Sequence, residues 1–348
     1  MAARAFITGL SGLTISANER AFLREAQPWG LIIFKRNVST PQQIFELTSS
    51  FRDVVGWAAP VLVDQEGGRV QRLGPPHWPA YPAGARYGAI YDRDIASGLA
   101  AARLGGHLIA TDLNVLGIDV DCLPLADVPV PGGDPVIGDR AYGTEPSKVA
   151  AIAGAIAESL LAGGVLPVLK HLPGHGRATA DTHRRLPVVD TDRVTLEASD
   201  FAAFRPLAGL PLGMTAHVVF SAIDPVAPAT TSVTMVHEVI RGFIGFRGLL
   251  MSDDVSMKAL SGTIAERSRA AFAAGCDVVL HCNGDLGEMA AVAGEAPRLE
   301  GETAKRAEAA LAQRKAPEEF DVDAARKIFT QMVDTECRRR NGRPVHDA

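Results

Sequence analysis

Short apolar runs and longer amphipathic stretches alternate along this chain at nearly regular spacing. Eight runs predict strands, at Ala5–Gly9, Gly30–Phe34, Pro60–Asp64, Val120–Leu125, Pro167–His171, Leu212–His217, Gly248–Asp253 and Val278–Cys282. Helices are predicted after them over Asn18–Glu25, Pro41–Val54, Asp92–Leu116, Lys148–Ala162, Thr195–Leu207, Val233–Ile240, Ile264–Ala274 and Asp285–Gly294. The strands are continuously apolar rather than alternating, the pattern of a parallel sheet buried on both faces. Thr40 followed by Pro41 marks one helix start, a capping hydroxyl before a proline in the first helical position. Thr144-Glu145-Pro146 marks another, and Gly163-Gly164 marks its end. Eight strand–helix units predict an α/β chain folded as a (β/α)8 barrel of the TIM type. A doubly wound open sheet is the runner-up, weakened because no GxGxxG follows the first strand. No low-complexity linker divides residues 1–348, so one domain is expected. Its barrel core covers about 5–295, and extra C-terminal helices at about 298–335 (Arg298–Lys315, Asp323–Val333) cover it.

Composition narrows the function more than the fold. The 348 residues are 47% hydrophobic, ample for a large core, and 35 Lys+Arg against 40 Asp+Glu leave a net charge of -5. That balance does not favour nucleic acid, and the basic end Arg338, Arg339, Arg340 is short enough to be a solvated terminus. No apolar run approaches the ~20 residues that span a bilayer. The opening MAARAFITGL lacks the apolar core and cleavage site of a secretory signal. Cys122, Cys276, Cys282 and Cys337 form no CxxC pair, which suits free thiols in a reducing compartment. The expectation is a cytoplasmic monomer without membrane or nucleic-acid partners, and without cofactor or metal.

Polar residues gather where a barrel places its chemistry, at the carboxyl ends of the strands. Asp64-Gln65-Glu66-Gly67-Gly68-Arg69 follows the third strand, Asp139-Arg140 the fourth, Lys170-His171 the fifth, His217 the sixth, Ser252-Asp253-Asp254 the seventh and Asn283 the eighth. Glycines and Pro173 make Lys170–His183 a long irregular loop. Asp181 and His183 stand two apart, on one side of an extended backbone, where the carboxylate can orient the imidazole for proton transfer. An isolated Asp-x-His is more often a capped loop with an incidental histidine. Asp253 ends an apolar run and is expected to face Lys170 and Arg140, staying ionised and available as a nucleophile. Asp254 should point the other way, toward a loop hydrogen bond. A metal-dependent hydrolase using His171, His175, His183, His217 and Asp253 competes with this reading, but short metal-ligand spacings are missing. An inactive sugar-binding barrel is the non-enzyme alternative.

Taken together, these segments resemble glycoside hydrolase family 3 β-N-acetylglucosaminidases. Lys170–His183 is similar to the family's KH-x-PGHG-x4-D-[ST]-H signature, Asp64–Arg69 to its DQEGGRV segment and Ser252–Met257 to its SDDxSM segment. The similarity runs from about Phe6 to the eighth strand. It implies Asp253 as nucleophile, His183 as acid/base, and Asp181 as the residue orienting it. Asp64, Arg72, Arg140, Lys170 and His171 match positions that hold the terminal sugar. The implied reaction is retaining hydrolysis through a covalent glycosyl–enzyme. The implied substrate is a small carbohydrate, N-acetylglucosamine β-1,4-linked to an anhydromuramoyl or muropeptide group, in peptidoglycan recycling. Phosphorolysis at the same site, a β-glucosidase activity, and attack by the substrate's own acetamide are the alternatives.

Overall fold

The structure, a computed structural model, describes residues 3–182, 185–319 and 321–340, the last six of these as backbone only. Eight parallel strands close into a barrel: β1 Arg4–Thr8, β2 Pro28–Ile33, β3 Val61–Val63, β4 Val120–Asp121, β5 Leu166–Leu172, β6 Leu212–Thr215, β7 Leu249–Asp254 and β8 Val278–His281. Each pairs with its neighbours in sequence, and β8 returns to β1 through Phe6 opposite Val279.

The continuous apolar runs are explained by two cores. Alternate residues from all eight strands, among them Ile7, Ile32, Leu62, Val120, Val168, Met214, Met251 and Leu280, form one buried cluster that fills the lumen. Their neighbours, such as Leu31, Val61, Val63, Leu169 and Leu250, pack outward in a cluster shared with the surrounding helices.

Those helices are α1 Ala17–Ala26, α2 Pro41–Val55, α3 Gly84–Tyr91, α4 Ile95–Asn114, α5 Pro146–Ala162, α6 Arg193–Ala198, α7 Ile264–Ala274 and α8 Leu286–Glu295. The start of α2 is as expected, with the Thr40 hydroxyl accepting from Gln43 N and Pro41 in the first turn. Two further helices, α9 Gly301–Leu311 and α10 Val322–Arg340, follow the barrel. Leu299, Ala307 and Ala310 join the lumen cluster, so the α9 region seals the floor of the barrel. Asp277 at the start of β8 pairs there with Arg241 and Arg306, and Asp119 before β4 pairs with Arg314.

Four expectations are corrected. The predicted strand Val120–Leu125 is only two residues long, because Pro124 has no N–H for the ladder. Pairing continues irregularly, Lys170 N donating to Pro124 O at 3.1 Å. The helix expected over Thr195–Leu207 stops at Ala198 and becomes two single turns, at Phe201–Ala203 and Arg205–Leu207. α6 ends where the Ser199 backbone, at φ -123 and ψ -85, leaves the helical range. Pro206 keeps the later turns from joining into one helix, since it can neither donate to a preceding carbonyl nor fit against it. The segment read as Asp92–Leu116 begins later, where Asp94 caps α4 by accepting from Ser97 N. Met235–Phe243, expected as an α-helix from Val233, is wound as a π-helix. Cys122, Cys276 and Cys282 are free and buried. Among the described residues no helix is long and apolar enough to cross a membrane.

Candidate active site

The strand register builds the site. Ile32, Leu62, Val168, Met251 and Leu280 point into the lumen, so the residues two further on point inward above them. Those residues are Phe34, Asp64, Lys170, Asp253 and Cys282, and all five line one cavity of about 300 Å³ at the carboxyl end of the barrel. Arg69, Arg72, Arg140, His171, His175 and Asp181 complete its polar wall. Seven of the eight expected site residues therefore meet around one space. The eighth, His183, lies outside the described residues.

On one side the wall is a chain of ion pairs. Lys170 Nζ bridges Asp64 Oδ1 at 2.9 Å and Glu66 Oε1 at 2.7 Å. Arg72 reaches the other oxygen of Asp64 at 2.9 Å, and Arg140 grips Glu66 with two bonds of 2.8 and 2.9 Å. Burial would raise the pKa of Asp64, but Lys170 and Arg72 outweigh it and hold the carboxyl far below its usual range. Glu66 is likewise lowered against its burial by Lys170 and Arg140. Lys170 is only 2% exposed; burial disfavours its charge, yet Asp64 and Glu66 raise its pKa above the ordinary value. The group is a fixed array of charges that needs no rearrangement to meet hydroxyls. Beneath it, burial pushes the Asp121 carboxyl well up.

A turn at Gly67 makes this array possible. Gly67 has φ +95, and a Cβ there would collide with the Pro82 carbonyl oxygen. The Asp64–Arg72 hairpin can fold tightly over the rim only with glycine at that point.

Asp253 sits on the opposite wall with Oδ1 accepting from Asp254 N at 2.8 Å. Burial raises its pKa, but His217, His171, the Asp254 N–H and Lys170 together bring it below the ordinary carboxylate value. The expectation that Arg140 faces Asp253 is corrected: Arg140 is committed to Glu66, and His217 takes that place. Asp254 forms the loop bonds expected of it, its carboxylate accepting from Ser256 N, Ser256 Oγ and Cys282 N. His217 is fully buried, its Nδ1 at 2.7 Å from Thr230 Oγ1 and its Nε2 donating to Asp254 O at 3.0 Å.

The long loop starts from another buried carboxylate, that of Asp127. Asp127 Oδ2 lies 2.7 Å from His171 Nδ1, and Oδ1 accepts from His175 N at 2.7 Å. Gly176 then presses against the Val128 backbone, where a Cβ would overlap the carbonyl. Arg177 ties the loop to Asp200 at 2.6 Å, and Thr182 O accepts from Ala259 N, just beyond the Asp253 segment. Asp181 and Thr182 thus reach the cavity that holds Asp253.

His175 carries a pH signature. Burial first, and the adjacent His171 imidazole second, lower its pKa to about 4. Below the ordinary 6.5 the unfolded chain gains a proton that the folded site refuses. Stability is therefore expected to fall by up to roughly 3 kcal/mol between those values. Melting temperatures of the native protein and a His175→Gln variant check it: the variant should lose the decline across this window.

Glu66, Asp127 and His217 are the partners that sequence reasoning passed over as site residues, although Glu66 and His217 were both visible at strand ends. Trp78, in the segment after the third strand, is buried in the outer core and does not line the cavity. Among the described residues no three His, Cys, Asp or Glu side chains gather as a metal site. His183 of that alternative falls outside them.

A closed parallel barrel with ionised carboxylates and paired cations around one rim cavity defines an enzyme of the (β/α)8 class, shaped for a small polyhydroxylated ligand. The chain belongs to glycosyl hydrolase family 3, whose N-terminal domain matches residues 6–314. It is 40% identical over 279 residues to a β-hexosaminidase of Alkalilimnicola ehrlichii, covering 79% of each chain. It is 37% identical over 286 residues to a β-hexosaminidase of Xanthomonas axonopodis, covering 80% of this chain and 84% of that one. The structure of native NagZ from Neisseria gonorrhoeae superposes with a TM-score of 0.83 at 30% identity, over 96% of this chain and 97% of the other. That protein has also been crystallised with N-trifluoroacetyl-D-glucosamine.

Proposed function

We propose that this protein is a retaining β-N-acetylglucosaminidase that removes terminal β-1,4-linked N-acetylglucosamine from anhydromuramoyl or muropeptide fragments, in cytoplasmic peptidoglycan recycling. The observation that carries the reading is the cavity itself. An ionised carboxylate on strand β7 faces a preformed Asp64–Lys170–Glu66–Arg140 array across a space suited to one sugar ring. The β-hexosaminidase activity of the relatives and the glucosamine derivative bound by the gonococcal protein support the same substrate class.

In this reading Asp64 accepts from neighbouring sugar hydroxyls while Arg72, Arg140, Lys170 and His171 orient the ring. A carboxylate oxygen of Asp253 attacks the anomeric carbon as the bond to the leaving oxygen breaks, and His183, oriented by Asp181, protonates that oxygen. An ester between Asp253 and the sugar results. His183 then takes a proton from water, whose oxygen displaces Asp253, and the two inversions return the β configuration.

Hydrolysis of a defined muropeptide fragment, beside a plain β-glucoside, tests the proposal. N-acetylglucosamine should be released first as the β-anomer by proton NMR, with the glucoside slower by roughly 100-fold or more. An α-anomer as first product rejects retention; equal rates on both substrates reject the substrate class.

A further inference from the structure

The strongest pairing around the cavity that no functional role yet explains is that of His171 with Asp127. Asp127 is fully buried and does not line the cavity, so it cannot touch a ligand there. Its two oxygens divide their work. Oδ1 accepts from His171 N at 3.3 Å and His175 N at 2.7 Å, holding the root of the long loop. Oδ2 faces His171 Nδ1 at 2.7 Å. An ionised carboxylate only accepts, so the ring nitrogen opposite it must carry the hydrogen. The remaining nitrogen, Nε2, belongs to a ring that lines the cavity.

We propose that Asp127 is a positioning residue for this site. Its carboxylate fixes His171 with hydrogen on Nδ1, so that Nε2 is the nitrogen presented to the bound sugar, and it anchors the loop that carries Asp181. The second half of that statement rests on the sugar-site reading above; the ring form does not. The arrangement works as a lock because the charge cannot turn around. A neutral amide in the same place would reverse the hydrogen bond.

Asp127→Asn performs that reversal with little other change. Its amide oxygen can still accept from the His171 and His175 N–H groups, while its NH2 faces Nδ1 and forces hydrogen onto Nε2. Imidazole 15N spectra, with the His171 signals assigned by their loss in His171→Ala, should show protonated Nδ1 in the native protein and a switch to Nε2 in Asp127→Asn. With an aryl N-acetylglucosaminide, kcat/KM should fall about 10- to 100-fold in Asp127→Asn, the usual cost of a lost orienting partner. In a His171→Ala background the same change should cost less than about 2-fold, since residues acting as one unit do not add. Unchanged ring-nitrogen signals in Asp127→Asn overturn the proposal. So does an equal loss of activity in both backgrounds, which would mean that Asp127 acts on the fold rather than through His171. The spectra need no substrate, so a native protein that fails to cleave the glycoside would refute the hydrolase reading and leave the ring assignment standing.

Discussion

Replacing Asp253 with asparagine is expected to reduce kcat on an aryl N-acetylglucosaminide by about 10⁴-fold or more, roughly 5.5 kcal/mol of barrier. The amide is nearly the same size, and its oxygen can still accept the Asp254 N–H that the carboxylate accepts at 2.8 Å. What disappears is the negative charge of a carboxyl that its surroundings hold below the ordinary carboxylate value. An amide oxygen in its place cannot form the covalent ester. The fold should survive, so melting temperature and circular dichroism should stay close to those of the native protein. A fluorinated glycosyl trap adds a direct readout: mass spectrometry should find label on Asp253 in the native enzyme and none at position 253 of the variant. Native-like turnover by Asp253→Asn would remove this residue from the chemistry. An unlabelled but fully active native enzyme would favour attack by the substrate's acetamide.

Lys170→Met should produce the largest loss of stability of any change at the rim, about 3–5 kcal/mol at neutral pH. The ammonium is 2% exposed and lies between two carboxylates at 2.7 and 2.9 Å. Methionine fills much of the volume but leaves each carboxylate one cation where it had two, Arg72 for Asp64 and Arg140 for Glu66, in a largely buried place. The pH dependence follows in sign. In the native protein both carboxyls are held below their ordinary values of 3.8 and 4.5, so their contribution is present above those values and is lost as pH falls through the lowered ones. Without Lys170 the carboxyl pKa values should rise, and the deficit should shrink as pH falls from neutral toward the ordinary values. Urea unfolding at pH 7 and pH 5 checks this, the gap between variant and native protein narrowing at pH 5. A gap that stays constant would show that packing, not charge, accounts for the loss. KM should rise as well, because the array that faces the sugar loses its central cation.

Much of the site was legible because barrel geometry turns position along a strand into position in space. Asp64, Lys170 and Asp253 each follow an inward-facing apolar residue by two, and that interval suffices to aim them into the lumen. Arg140 was also legible as a rim residue, but its direction was not. It binds Glu66, 74 residues away, where the strand pattern suggested Asp253. Asp127 and His171 are separated by 44 residues, and His217 and Asp254 by 37. No local pattern distinguishes such a pair from other strand-end residues of opposite charge. Misplaced helices show the same division: Pro206 could have been read as a bar to one continuous helix over Thr195–Leu207, whereas the π-helical winding of Met235–Phe243 has no comparable local mark.

By itself the amino-acid order determined the eight-unit alternation, the doubly buried strands, the capped start of α2 and the set of polar residues delivered to one rim. These follow from periodicity, proline and side-chain capping, which act over a few residues. Tertiary structure alone decided which carboxylate neutralises which cation, which nitrogen of His171 is tied down, and which charges surround Asp253. Closing the barrel brings distant strand ends within 3 Å, and burial there makes each pairing strong enough to set a charge state.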